Sequence, residues 1–547
     1  MESLPSIQEE PVKSLRKTIL ESENPAEIIQ SLSPQDYFQL IKAMDENDVL
    51  VILESGSTDQ WQFLLDLELW NQDQLDIAKA SRWLYLLERA DSDQLIDWLF
   101  TEGEELAHYF FSKVLKVIFI TEPNEAKMLP EGFFSLDGEY YLRIEDPAYR
   151  EGLVDILRTL SIENYERYQN LLFELDSVIP AELEEEMYRL RNIRLAEEGF
   201  LPYEEAVAVY APLEPSALNY KKDKSPSDRI TLDSESLRPV PLLPLAQTRT
   251  RNSFLEGAGK IRDPFLLNRV RLEFAGLANQ ILSADRIAVI DTESIIASCD
   301  RAARLINLAV EKVCGHDPVA IEDMLRQNHL AALFRVGSGL ILKLKWEAER
   351  WRKTSWFHRQ GLEDYFWGER GKVLAGLLQK RPSYYAGPEA KELYRDFEKL
   401  NELQDVLEVL QGVMVLDGLL KKMAQAYALP EDFLNNPEPL FYPLLFNFWA
   451  RLRLQLPPSL TGISLKEAQR FFSDLRNPSA QPPFVPDDFQ TIFIKDLMAQ
   501  TAGADRQAAV LLEKILGEVW KDFQEEYEKI AIEDLDPRYS GFLTILS

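Results

Sequence analysis

Glu105-Leu106-Ala107-His108 sets a carboxylate and an imidazole three residues apart, the spacing at which one helix offers two ligands to a di-iron centre. That chemistry needs a second such pair. None of the other histidines, His316, His329 and His358, has a glutamate three positions before it, so the pair reads as helix surface. Cys299, Cys314 and His316 could begin a zinc or thiol site, but a tetrahedral centre takes four ligands. Cys299 also falls on the stripe Ile296, Cys299, Ala303, Ile306, Val310, Val313, which marks it as core. Gly257-Ala258-Gly259-Lys260 and Gly368-Glu369-Arg370-Gly371-Lys372 contain Gly-Lys pairs without the phosphate-loop spacing. Gly337-Ser338-Gly339 lies within a helical pattern and lacks the outer glycines of a nucleophile elbow, so close helix packing is the plainer reason for it. Glu182, Glu184, Glu185 and Glu186 spread round a helix, as solvated side chains do. No catalytic, cofactor or metal set is expected.

One stretch stands apart chemically. Residues 343–372 hold four of the ten tryptophans and eight Lys/Arg against five Asp/Glu, in a chain of net charge -31. The helix leading into it buries Leu330, Phe334, Gly337, Ile341, Leu344, Ala348 and Trp351 on one predicted stripe. The opposite side then presents Lys343, Trp346, Arg350 and Lys353, one tryptophan among three cations. Three readings are open. The helix is buried on both sides, with Arg350 stacked on Trp346 and paired locally. Or it docks an acidic partner, the chain's own N-terminal region included, since Trp and Arg dominate interface hot spots. Or it stacks nucleic-acid bases, which the negative charge elsewhere opposes. The expectation is a protein contact, without nucleic acid.

That charge is uneven: residues 1–210 carry 44 acidic and 17 basic side chains, net -27. This region should attract basic protein surfaces or a divalent cation, or serve only as a solubilising surface. Two cysteines in 547 residues argue for a reducing compartment, and an apolar fraction of 46% suits a folded soluble chain. No apolar run reaches membrane length, and MESLPSIQEE lacks the features of a signal peptide, so a cytoplasmic location is expected.

The elements that position these residues are mostly helices. Ser33-Pro34, Ser57 with Gln60, Asp91 with Gln94, and Ser161 with Asn164 read as helix starts, spaced irregularly like a degenerate helical repeat. "FFSLDGEYYLRI", residues 133–144, predicts a hairpin turning at Asp137-Gly138, both at positive φ. Residues 211–256 hold six prolines and predict an extended linker. Beyond it, a helix from Asp291 to Cys314 ends at Gly315, Asp317-Pro318 starts the next, and a last helix covers about 490–532 after the Pro-rich 477–488. The expected fold is mainly α, with an acidic helical-repeat-like domain over 1–210, the linker, and a larger all-α bundle over 257–547.

Residues 24–100, through "SLSPQDYFQLIKAMDENDVLVIL", resemble the intracellular N domain of MgtE-type magnesium transporters, which implies a helical, acidic, regulatory domain. As a whole, through "LFRVGSGLILKLKWEAERWRKTSWF", "GLEDYFWGERGKVLAGLLQKRP" and "WQFLLDLELWNQDQLD", the chain resembles an uncharacterised bacterial family, which implies no activity. The function expected is a non-enzymatic cytoplasmic adaptor or regulatory scaffold. The alternative is an enzyme or small-ligand binder whose site is built from dispersed residues.

Overall fold

The computed structural model describes residues 11–122, 124–146, 150–219, 239–475, 488–501 and 506–546. They form a mainly helical protein, with 26 α-helices and nine short strands among the described residues. Two compact units, Met1–Ser338 and Gly339–Ser547, are described in turn.

Local capping starts the first unit's short helices. Ser33 accepts the Asp36 N–H at 3.1 Å ahead of Pro34–Lys42, and Asp91 accepts the Gln94 N–H at 2.9 Å ahead of Ser92–Leu99. Ser57 and Gln60 close a capping box at the head of Thr58–Glu68. Gln60, itself buried, also donates to the carbonyls of Ile29 (2.8 Å) and Leu32 (2.9 Å), tying one helix start to the end of another. Ser161 is different. It lies in the last turn of Arg150–Glu163 and bonds back to the Arg158 carbonyl, while Asn164 caps the next helix by accepting the Arg167 N–H at 3.1 Å. With two helices abutting, the amide side chain directly before the second holds the cap position. Short helices pack on one another: Pro34–Lys42 on Thr58–Glu68, Glu46–Glu54 on Ile77–Ala90, and that helix on the more distant Arg150–Glu163.

The hairpin forms between Phe134–Ser135 and Tyr140–Ile144, and the apolar Leu115–Phe119 adds a third antiparallel strand along Tyr140–Ile144. Its turn departs from the expected one. Only Gly138 takes positive φ (84°), because the Asp137 carboxylate folds over the turn and accepts the N–H groups of Glu139 and Tyr140, each at 2.9 Å.

Of the proline-rich 211–256, residues 220–238 lie outside the described residues. Residues 239–256 are packed, not extended. Leu243–Ala246 and the start of Ser253–Ala258 are helical, and Leu243 and Pro244 are buried. Asp36, 1% exposed, accepts the N–H of Leu242 at 2.7 Å and of Leu243 at 2.8 Å, and the Gln247 amide donates to the Gln39 side chain. Burial pushes the Asp36 carboxyl up to about 6, partly offset by those two N–H groups. Thr292–Cys314 follows as expected, capped by Asp291 and closed by Gly315 at φ 63°, and Asp317 caps Pro318–Gln327.

In the second unit Tyr442–Arg453 runs through the core. Phe446 stacks on Phe493 (4.8 Å) and Phe523 (4.3 Å), and Trp449 meets Trp520 edge-on at 5.4 Å. Ile463–Ser464 pairs in parallel with Ile545–Leu546. Buried Asn447 joins both segments, accepting the Thr544 N–H at 2.9 Å and donating to the Leu460 carbonyl at 3.2 Å. The unit is not purely helical, since Tyr384–Tyr385 and Tyr394–Arg395 also pair. The single last helix expected over 490–532 is two, Asp488–Met498 and Arg506–Tyr527; residues 477–487 of the Pro-rich break, and 502–505, lie outside the described residues.

Candidate interaction surface

The aromatic strip begins on Leu330–Thr354, a 25-residue helix. Its apolar stripe is buried at Leu330, Phe334, Gly337, Ile341, Ala348 and Trp351, with Leu344 half-buried. Gly337 is there for space: a Cβ would lie 1.9 Å from the Leu305 carbonyl oxygen. Ahead of the same helix, Glu273 accepts the Leu330 N–H at 2.8 Å and holds the His329 ring.

Three of the strip's four tryptophans are core. Trp351 stacks on Phe357 at 5.4 Å, Trp367 packs against Phe357 (5.3 Å) and Phe441 (5.6 Å), and Trp356 lies 6.3 Å from Phe366. Buried Asp417 fixes this cluster by accepting the N–H groups of Trp356 (3.0 Å) and Phe357 (2.9 Å) at the start of Trp356–Arg359. No local pattern announces that contact, because about sixty residues separate the partners.

Trp346 is the exception at 44% exposed. Lys343, Arg350 and Lys353 are exposed on the same side, and Arg350 Nε lies 3.3 Å from the Trp346 carbonyl, which keeps the guanidinium over its own helix. Lys345 points elsewhere, donating to the carbonyls of Gln379 (2.7 Å) and Lys380 (3.1 Å). The face therefore carries three cations round one broad ring, on a helix whose other side is held by a packed core. Such an arrangement can hydrogen-bond carboxylates and cover an apolar contact.

The rejected chemical sites are structural. His108 links Glu104–Val114 to Tyr165–Glu174, its ring 3.0 Å from the Glu174 carboxylate. Cys299 and Cys314 are fifteen residues apart on one helix, hence roughly 22 Å apart along its axis. Burial pushes the Cys299 thiol up to about 12 and the Cys314 thiol up to about 11, away from the thiolate form. Gly257 sits against Ile321, and Gly371 against the Asp364 carbonyl, where each is needed for packing. Sequence did not suggest Ser253 Oγ against His316 Nδ1 at 2.6 Å. A serine nucleophile also needs a carboxylate behind the imidazole, and none contacts His316 among the described residues. No group of three potential metal ligands is found among the described residues, nor a helix long and apolar enough to cross a membrane.

A family model matches residues 1–545. The chain belongs to a family of unknown function, DUF6178. No curated protein and no solved structure matches it. The full-length resemblance thus stands, while nothing in these comparisons supports the likeness to the magnesium-transporter domain.

Proposed function

We propose that this protein is a non-enzymatic adaptor or scaffold, working in the reducing cytoplasm, that binds another protein through Lys343, Trp346, Arg350 and Lys353. The observation carrying this reading is Trp346: an indole left 44% exposed between cations, while the three other tryptophans of the strip are buried. Exposed Trp beside Arg is what an interface anchor requires. The strip's partner presents carboxylates around an apolar hollow. Two free cysteines in 547 residues are in keeping with a compartment where thiols remain reduced.

The test is affinity purification of the full chain from its host beside the Trp346→Ala, Arg350→Glu double variant. A stoichiometric protein retained by the wild type, lost from the variant and released by salt supports the assignment. Equal recovery by both sinks it. The melting temperature of the variant should stay within about 2 °C of the wild type, because both side chains face solvent.

A further inference from the structure

The helix Pro180–Glu197 buries little apolar surface, chiefly Met187 and Leu195 with Leu183 and Leu190 partly covered. Directional polar contacts add to that hold. Glu184 accepts the Tyr109 hydroxyl at 2.8 Å and the Leu75 N–H at 2.9 Å, and the Arg194 guanidinium grips the Asp66 carboxylate through two contacts of 2.7 Å. Arg191 donates to the Asp66 carbonyl at 2.6 Å and lies over the Trp70 ring at 5.5 Å.

With that side pinned, the opposite side lines an open groove of about 710 Å³. Its helical wall is Glu182, Glu185, Glu186, Arg189, Ile193 and Ala196, spaced as one face of about four turns and running roughly 21 Å. Pro202 and Glu205 form the facing wall. Ile193, 49% exposed, Ala196 and Pro202 give it an apolar strip, and Ala196 leaves room for close approach. Four carboxylates rim it against one cation, and that cation is already held by Glu186 at 2.6 Å. Glu186 is correspondingly held below the usual carboxylate range by Arg189.

From this geometry we infer that the groove binds a basic amphipathic α-helix of a partner protein, with apolar side chains on Ile193 and Ala196 and Lys or Arg against Glu182, Glu185 and Glu205. The groove has the length of a short helix and an apolar strip between charged edges, the features of helix-in-groove recognition. Its charge selects the sign of the partner, within a region of net charge -27 that steers cations inward. This surface does not depend on the strip around Trp346, and the two assignments fail separately.

The experiment uses the full chain and three labelled synthetic peptides read by fluorescence anisotropy. One is an 18-residue Lys/Leu peptide with leucines at helical spacing; a second has Glu for every Lys; a third has equal Lys content but Gly and Ser for leucine. Only the first should bind. Ile193→Asp should weaken it by about tenfold or more through loss of the apolar strip, although the variant is the more acidic protein. Glu185→Lys with Glu205→Lys should do the same, whereas Glu122→Lys with Glu125→Lys, an equal charge change on exposed residues elsewhere, should alter it less than about twofold. Trp346→Ala with Arg350→Glu should leave it unchanged. Unchanged or tighter binding by Ile193→Asp overturns the proposal, as does equal weakening by the control pair, because binding is then mere charge attraction. A chain that dimerises alone and takes up no peptide also overturns it, assigning the groove to a second copy. Ile193 and both glutamates are exposed, so the variants should melt with the wild type; Ile193→Asn serves in place of any that does not.

Discussion

The two helices that present interaction faces are anchored by different balances of apolar and polar contact. Leu330–Thr354 is held by an apolar stripe and the close approach at Gly337, and shows cations round Trp346. Pro180–Glu197 buries only Met187 and Leu195 fully, is held further by Glu184, Arg191 and Arg194, and shows carboxylates round Ile193. A stripe of side chains buried by the hydrophobic effect tolerates small changes of angle, because dispersion and area are nondirectional. A bidentate Arg–carboxylate contact fixes rotation about the helix axis. The second device suits a helix that must offer one particular face while burying little beyond Met187 and Leu195.

Substitution should expose that difference. Trp351→Ala removes a buried indole from the stripe and leaves a cavity, costing about 3–5 kcal/mol in urea unfolding. Asp66→Ala strips Arg194 of its partner and should cost less, about 1–3 kcal/mol, because Arg194 can still reach water. It should also hasten amide exchange selectively across 188–197. If the Asp66 variant instead destabilised as much as the Trp351 variant, polar anchoring would be no weaker than the apolar kind.

A third polar anchor, Asp36, sharpens the comparison through pH. Its folded carboxyl titrates about two pH units above the ordinary 3.8, so between roughly pH 4 and 6 the folded chain holds a proton that the unfolded chain has released. That contribution to stability is present below pH 4 and is lost as pH rises through 6. Asp36→Asn should therefore flatten the fall in unfolding free energy between pH 4.5 and 6.5 by about 2 kcal/mol relative to wild type; parallel profiles would refute it. Smallest of all, Trp346→Ala should cost under about 1 kcal/mol while abolishing partner capture.

Much of this was legible in the residues. Ser33, Ser57, Asp91, Asp291 and Asp317 cap the helices that their local spacing announces, because a cap is a contact within three residues. The exposed side of the 330–354 helix followed from its period. What escaped depends on distant partners. Asp36 meets Leu242 from 206 positions away, and Arg194 meets Asp66 from 128. Glu184 looked like one of four solvated glutamates until Tyr109 and Leu75 claimed it. Ser161 lost its expected cap to Asn164 because two candidates sat three residues apart. Aromatic richness alone also could not separate Trp346 from Trp351, Trp356 and Trp367; helical phase did so for Trp351, and only packing did so for the other two.

The parallel pairing of Ile463–Ser464 with Ile545–Leu546 has a bearing on synthesis. Asn447 reaches across to Thr544, and Phe542 lies 4.3 Å from Tyr442, so the edge of a core begun at residue 442 is closed by residues made a hundred positions later. Until Phe493, Trp520 and Phe523 are made, Phe446 and Trp449 lack their partners. A vectorially growing chain exposes such surface to chaperones and to neighbouring nascent chains. Translation halted before Trp520 and Phe523 are made would thus release a chain with Phe446 and Trp449 still uncovered.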